Sequence, residues 1–567
     1  MRHLFLSLLL ASAAACGRPP FADLVFTGGT IMTMDSTAPS AEAVAVRDGR
    51  IVYVGSESGV QQWIGTRTVV VPLAGRTLLP GFEDAHIHPV SSGVELSGCD
   101  TADDETREAL DGHIRACAAA LPDSAWLVGS NWALPIFPDG NPRREWLDSL
   151  APGRPAYLSA ADGHSGWANT EALRLAGITK DTPDPLNGRI ERDAKGEPTG
   201  TLRESAMQLV SSLIPPVTDA ERVAGLRRAQ ALLHAAGVTA IQEAAATRPL
   251  LEAYRTLDRS GELTLRTVVS LLARPEDDLT QVDSLVAWRT EFQGTQVHPT
   301  AVKLFEDGVI EARTAAMLTP YLDRHDDAGT PNWRPGQLDS IVALLVDKDF
   351  SVHVHAIGDG AVRFTLDALE KAEQGKPRGN RRHQIAHLEV IDSADIGRFA
   401  SLGVIANFQA LWAFPDSYIT DLTWPALGPE RSRWIYPIGS VVRAGGRLAL
   451  GSDWNVSSYV PMAAIQVAVT RRDSRDTLGT GAQLLPEQAI DLETALRGYT
   501  IGSAYALGLD QETGSIVTGK AADLVVLGED LRTVSQTRLA RVPVLLTLVA
   551  GKAVHGDVGA LVPVAAP

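Results

Sequence analysis

Two His-x-His pairs, His86/His88 and His353/His355, occur in a chain with only 13 histidines, where chance would supply about a third of one such pair. Each pair ends a β-rich run, and side chains two apart on a strand share a face. Asp84 shares the face of His86 and His88, so three polar groups on a buried strand need a partner. His387 closes another run, in HQIAHLEV, and Asp453 closes a later one, in LALGSDW. Imidazoles and carboxylates form the donor set of Zn²⁺ and similar divalent ions, and catalytic sites leave one position open for water. Lys303, in TAVKLFEDG, is a costly cation to bury. Two readings stand: a salt bridge to Glu306 or Asp307, or condensation with carbon dioxide into a carboxylate. Glu243, closing VTAIQEA, is one more strand-end carboxylate.

These residues need strand ends that converge. From GFEDAHIHPV onward, short apolar runs alternate with helical patterns such as DAERVAGLRRAQALLHAAG: VTAIQEA, LRTVVSLLA, TAVKLFEDG, FSVHVHAIGDG, HQIAHLEVI, GVIANFQA and GRLALGSDW. Such alternation predicts an α/β domain with a parallel sheet. About eight units suit a (β/α)₈ TIM barrel, whose sites form at the C-terminal strand ends. The barrel is expected over 81–509. Residues 21–80 and 510–560 share a different grammar, β-rich runs separated by turns, with Asp48–Gly49 as a hairpin signal. Neither piece has enough strands for a stable sheet alone, so the two predict one small β-sandwich domain built from both ends. Residues 122–215 break the rhythm with Pro, Gly, Trp and Asp, and read as a loop-rich insertion that lids or walls the barrel mouth.

Composition narrows the function. The chain of 567 residues carries 51 basic and 68 acidic side chains, for a net charge of −17, which argues against nucleic acid as a partner. The opening MRHLFLSLLLASAAAC (1–16) reads as an export signal within residues 1–20. It ends in one of two ways: a lipid on Cys16, which is preferred, or cleavage after Ala13–Ala15. The protein is thus expected outside the inner membrane, periplasmic or lipid-anchored. Cys99 and Cys117 then form either a disulfide or two separate thiols. A nucleophile elbow, a dinucleotide loop and a CxxC are all missing from the sequence. The sequence is compatible with a homo-oligomer and does not fix the oligomeric state.

Taken together, the HxH after a Pro-Gly strand, the strand lysine, two later strand histidines and a final strand aspartate resemble the amidohydrolase superfamily of metal-dependent hydrolases. More narrowly, KLFEDGVIEARTAAM, VHAIGDGAV, DGHSGWANTEALRLAGI and GEPTGTLRE resemble the amidohydrolase family 3 branch, which includes YtcJ-like proteins and N-substituted formamide deformylase. The likeness runs from about residue 22 to 555. It implies metal ligands at His86, His88, His355, His387 and Asp453, with Asp453 also moving the proton. Lys303 falls where many superfamily members carry a carboxylated bridging lysine, so the resemblance implies one or two ions, zinc foremost. His353 is left as a packing or supporting residue, and His164, in DGHSGWAN, is implied to line the substrate pocket, with Trp132 and Arg313 as further candidates. The implied activity is hydrolysis of an amide-like, non-peptide C–N bond in a small molecule by metal-activated water. The rivals are a lactone or cyclic amidine as substrate, and a lipid-anchored binding protein without catalysis.

Overall fold

Every apolar run marked above as a barrel strand is one. β1 (Phe82–Ile87), β2 (Val238–Ala246), β3 (Arg266–Leu272), β4 (Val297–Phe305), β5 (Ser351–Ala356), β6 (Gln384–His387), β7 (Ile405–Phe408) and β8 (Arg447–Leu450) lie side by side in that order. All neighbours pair in parallel. The computed structural model describes residues 21–562 apart from 123, 124 and 378; the export signal and Cys16 lie outside the described residues. Past β8 the chain bonds back to β1, with Asp453 N–H donating to His86 O (2.7 Å) and His88 N–H to Trp454 O (3.0 Å), which draws the sheet into a (β/α)₈ barrel. Only glycine fits at 451, because a Cβ there would stand 2.6 Å from His86 N.

Helices cover the barrel. The one before β2, Asp219–Ala235, starts with a capping box, Thr218 and Glu221 each bonding the other's backbone N–H. It contributes Leu226 and Leu233 to a core shared with Ile241, Leu251, Tyr254 and Val269. Burial of such side chains, about 1.5–3 kcal/mol each, holds the strand ends in register.

The two ends of the chain meet in a single eight-stranded sheet. Strands within 24–80 and within 524–555 alternate mostly antiparallel around a core of Phe26, Val44, Val71, Leu524 and Leu548. Asp48 and Gly49 take the positive φ that their hairpin turn requires. The ion pair of Arg266 with Asp523 ties β3 to this sheet.

The interruption before β2 is not loop-rich. It holds a six-stranded mixed sheet made by Cys99–Asp100, Leu127–Trp132, Ala156–Ala160, Ser165–Ala168, Pro198–Glu204 and Gly188–Arg192, in that spatial order. Its strands are short, and several are buried on both faces, so they show no alternation for a pattern reading to catch. Cys99 and Cys117 are joined in a disulfide, Cα–Cα 5.8 Å, which fastens the first of these strands to the helix Arg107–Ala120. No helix among the described residues is long and apolar enough to cross a membrane.

Candidate metal centre

The site starts from β1. Asp84 does not face a ligand; its two oxygens accept the Ser452 N–H (3.0 and 3.1 Å) and one also accepts the His86 N–H, strapping the loop after β8 onto β1. His86 bonds through Nδ1 to His353 Nε2 (2.9 Å), and His353 Nδ1 bonds to Ser270 Oγ (2.9 Å). The chain of contacts continues through Gln242, Gln384 and Asn407, forming a polar floor across the barrel interior. His353, kept above as a supporting residue, is thus the group that orients His86 and leaves its Nε2 facing the mouth.

There the donors converge. His86 Nε2 and His88 Nε2 lie 3.5 and 3.2 Å from Asp453 Oδ1, and His387 Nδ1 lies 3.7 Å from Asp453 Oδ2. His86, His387 and Asp453 offer ligand atoms all within 4.8 Å of one another. His387 Nδ1 and Asp453 Oδ1 are buried with no hydrogen-bond partner. Buried polar atoms are almost always satisfied, so this pair of orphans at one point fits a cation. His387 and Asp453 also hold φ values of 75° and 52°, a strained backbone that persists only where its surroundings enforce it.

His355 stands beside the group, its ring 4.4 Å from that of His387, with Nε2 turned to Gly308 O at 3.1 Å. Lys303 is fully buried with Nζ 3.3 Å from His86 Nε2. It forms no salt bridge to Glu306 or Asp307: the Asp307 carboxylate is taken up by the N–H groups of Ala316, Ile357 and Gly358, and both Glu306 oxygens are buried without a hydrogen-bond partner. Glu243 holds His88 from behind at 3.5 Å and accepts the Tyr254 hydroxyl at 2.9 Å.

Burial first, and then positive neighbours, keep His86, His353, His355 and His387 well below the usual imidazole range. They are neutral, the form that binds metals. Burial pushes Lys303 down to about 7. His88 differs: burial would lower it, but the carboxylates of Asp453 and Glu243 beside it outweigh that and lift it to about 9.

These groups floor a cavity of about 1370 Å³. The inserted sheet forms one wall and brings His164, whose Nδ1 bonds Glu204 Oε2 at 2.8 Å and whose ring lies 5.0 Å from that of His355. Glycine at 308 leaves room for Glu204, whose Oε1 a Cβ there would meet at 2.1 Å. Two candidates are corrected. Trp132 is wholly buried inside the insertion, with Nε1 donating to Leu158 O and its ring packed on Phe137 and Trp167. Arg313 lines a separate, smaller cavity, where it pairs with Asp323 and bonds the carbonyls of Ile310 and Glu311. Glu389, Trp412 and Tyr436 line the main cavity instead, and Glu311 lies between the two cavities and borders both. Glu389 follows two residues after His387, and position beyond a strand end was the one signal available for it.

A parallel eight-stranded barrel with histidine and aspartate donors at its C-terminal rim defines a metal-dependent hydrolase. The chain belongs to the amidohydrolase family, whose model matches residues 69–555. N-substituted formamide deformylase of Arthrobacter pascens is 31% identical over 553 residues, 93% of this chain and 97% of its own. Protein LONG AFTER FAR-RED 3 of Arabidopsis thaliana is 30% identical over 519 residues, 89% of this chain and 87% of its own. Among solved structures, an uncharacterized metal-dependent hydrolase from Pyrococcus horikoshii superposes with a TM-score of 0.70 at 24% identity, covering 90% of this chain and 99% of that one.

Proposed function

We propose that this protein hydrolyses an amide-like, non-peptide C–N bond, with His86, His88, His355, His387 and Asp453 holding one or two divalent ions, zinc by the chemistry of the donors. One observation carries the reading: His387 Nδ1 and Asp453 Oδ1 are buried, unpartnered and together at the floor of the cavity. When bound, the ion supplies Lewis acidity, lowering the pKa of water from about 16 toward about 7. Asp453 accepts the proton as the water oxygen adds to the carbonyl carbon, and returns it to the nitrogen as the C–N bond breaks. His164, held by Glu204, lies over the same floor and orients the substrate. The deformylase relative supports the choice of bond.

Lys303 is buried with Nζ against His86 and, among the described residues, forms no ion pair with a carboxylate. That setting suits attack of its amine on carbon dioxide with loss of a proton, giving a carbamate able to share an ion. A ¹³C-bicarbonate signal absent from Lys303→Gln would support this, and identical spectra would dismiss it. Export is proposed from the opening sixteen residues and fits the Cys99–Cys117 disulfide; mass spectrometry of the membrane fraction tests for a lipid on Cys16.

The main experiment measures metal content together with turnover on panels of N-formyl amines, N-acyl amino acids, cyclic amides and lactones. At least one metal equivalent and turnover of an amide class are the expected result. Turnover confined to lactones would overturn the choice of bond, and a metal-free protein inert on all panels would overturn the hydrolase mechanism.

A further inference from the structure

Along the cavity wall, two carboxyls meet at a single hydroxyl: Thr423 Oγ1 lies 2.9 Å from Glu311 Oε1 and 3.1 Å from Glu389 Oε1. A hydroxyl has one proton to donate, so it can answer one carboxylate and not both. Glu389 is buried, so as a carboxylate it needs a positive partner, and without one it has to keep its proton. The protein's own cations are committed elsewhere. Arg313 serves Asp323, while the two arginines that line the cavity, Arg274 and Arg475, pair with Glu276 and with Asp473 and Glu105. Among the described residues, neither lysine nor arginine pairs with Glu311, Glu389 or Asp416, all three of which line this wall.

Tyr436 points to a ligand independently. It is 4% exposed, its N–H donates to Glu389 O at 2.7 Å, and it lines the same recess. Its hydroxyl has Glu389 and Glu311 as its strongest charged neighbours and, opening on the recess, makes no hydrogen bond among the described residues. Its backbone is held at φ 43°. Trp412 lies edge-on to Tyr436 at 6.4 Å and stacks on His387 at 5.6 Å, so aromatic surface runs from the candidate ligand His387 to the paired carboxyls. Aromatic faces beside carboxylates are a setting for an organic cation.

We propose that the Glu311–Glu389–Tyr436 recess receives an ammonium or guanidinium group at the end of the substrate remote from the bond that is cut. The proposal rests on the hydrolase reading above and names its substrate class: amides of amines that carry a second, cationic nitrogen. The Cα atoms of His387 and Glu389 are at most about 7 Å apart, so a single small substrate reaches both subsites, and a five-carbon diamine is the first length to try.

Two measurements test it separately from the hydrolase mechanism. In the first, kcat/KM is compared for N-formyl-1,5-diaminopentane and N-formylhexylamine, which differ in a terminal ammonium against a methyl. A preference of at least tenfold for the charged amide, lodged in KM and collapsing toward unity in Glu311→Gln, is expected; equal values in the wild type would overturn the recess, whatever the variant does. In the second, calorimetric binding of hexylamine is compared with that of hexan-1-ol, with no turnover involved. Tighter binding of hexylamine by tenfold or more, abolished in Glu311→Gln, upholds the recess even if every amide proves inert and the hydrolase reading falls. Equal binding of the two, with amides turned over, retires the recess and leaves the hydrolase standing.

Discussion

Two clusters in this barrel are built from histidine and carboxylate, and they differ in what they leave unsatisfied. On the outer side, Glu373 accepts His383 Nε2 at 2.7 Å and a two-pronged contact from Arg381 at 2.8 and 2.9 Å, while His383 Nδ1 accepts the Val352 N–H. The carboxylate oxygens and both ring nitrogens are all used. At the mouth, Asp453 and His387 hold comparable groups at longer range, 3.2 to 3.7 Å, with one oxygen and one nitrogen orphaned. The first arrangement is complete without a ligand and works as a clasp. The second is completed by something the polypeptide does not supply, and that contrast separates structure from function more sharply than residue type does.

Breaking the incomplete cluster should cost the most. Asp453→Asn is expected to lower kcat/KM by about 10²–10⁴-fold while metal content, read by elemental analysis, stays near that of the wild type; near-normal turnover would refute the proton-shuttle role. Zinc added to chelator-stripped protein should raise the thermal midpoint with concentration, by about 4 kcal/mol of stability at a thousandfold excess over Kd. A midpoint indifferent to zinc would remove the distinction between the clusters. Removing the support instead of a ligand, with His353→Gln, should weaken metal affinity by about 10–100-fold in a competitive chelator titration. The smallest effect belongs to the clasp. Although burial would raise it, hydrogen bonds from His383 and Arg381 hold Glu373 down at about 2, below its usual 4.5. A depressed carboxylate pKa stabilises the fold above about pH 4.5 and loses that contribution as pH falls from there toward 2. Glu373→Gln should therefore lower stability by about 1–2 kcal/mol at pH 7, given solvent screening of a partly exposed group, and by nothing measurable near pH 2, with its zinc response intact. Equal losses at both pH values would mean the side chain matters by packing alone.

The two clusters were also unequally legible in the sequence. Barrel strands announce themselves because short β-rich runs recur between helical stretches, and His86, His88, His387 and Asp453 sit at or just past the ends of those runs. The inserted sheet did not, since four-residue strands such as Ser165–Ala168 carry Gly and Trp and are buried on both faces. Trp132 misled for the same reason: an aromatic residue in a Pro-rich stretch reads as pocket lining, while here it is the centre of a local core. Glu311 lies within the stretch KLFEDGVIEARTAAM but nothing singled it out there, and Glu389 had only its place beyond a strand end, because their importance comes from meeting across 78 residues at one threonine.

The sheet shared by the two ends of the chain has a bearing on how the protein is made. Thr30 bonds Asp530 across 500 residues, and Leu79 pairs with Val525, so the strand Thr77–Pro80, although paired early with its N-terminal neighbour, keeps its other edge open for nearly the whole of translation. Contacts this distant close slowly, and exposed strand edges invite association in the interval. Keeping those edges apart until the last fifty residues arrive is a task for a chaperone or for export in the unfolded state.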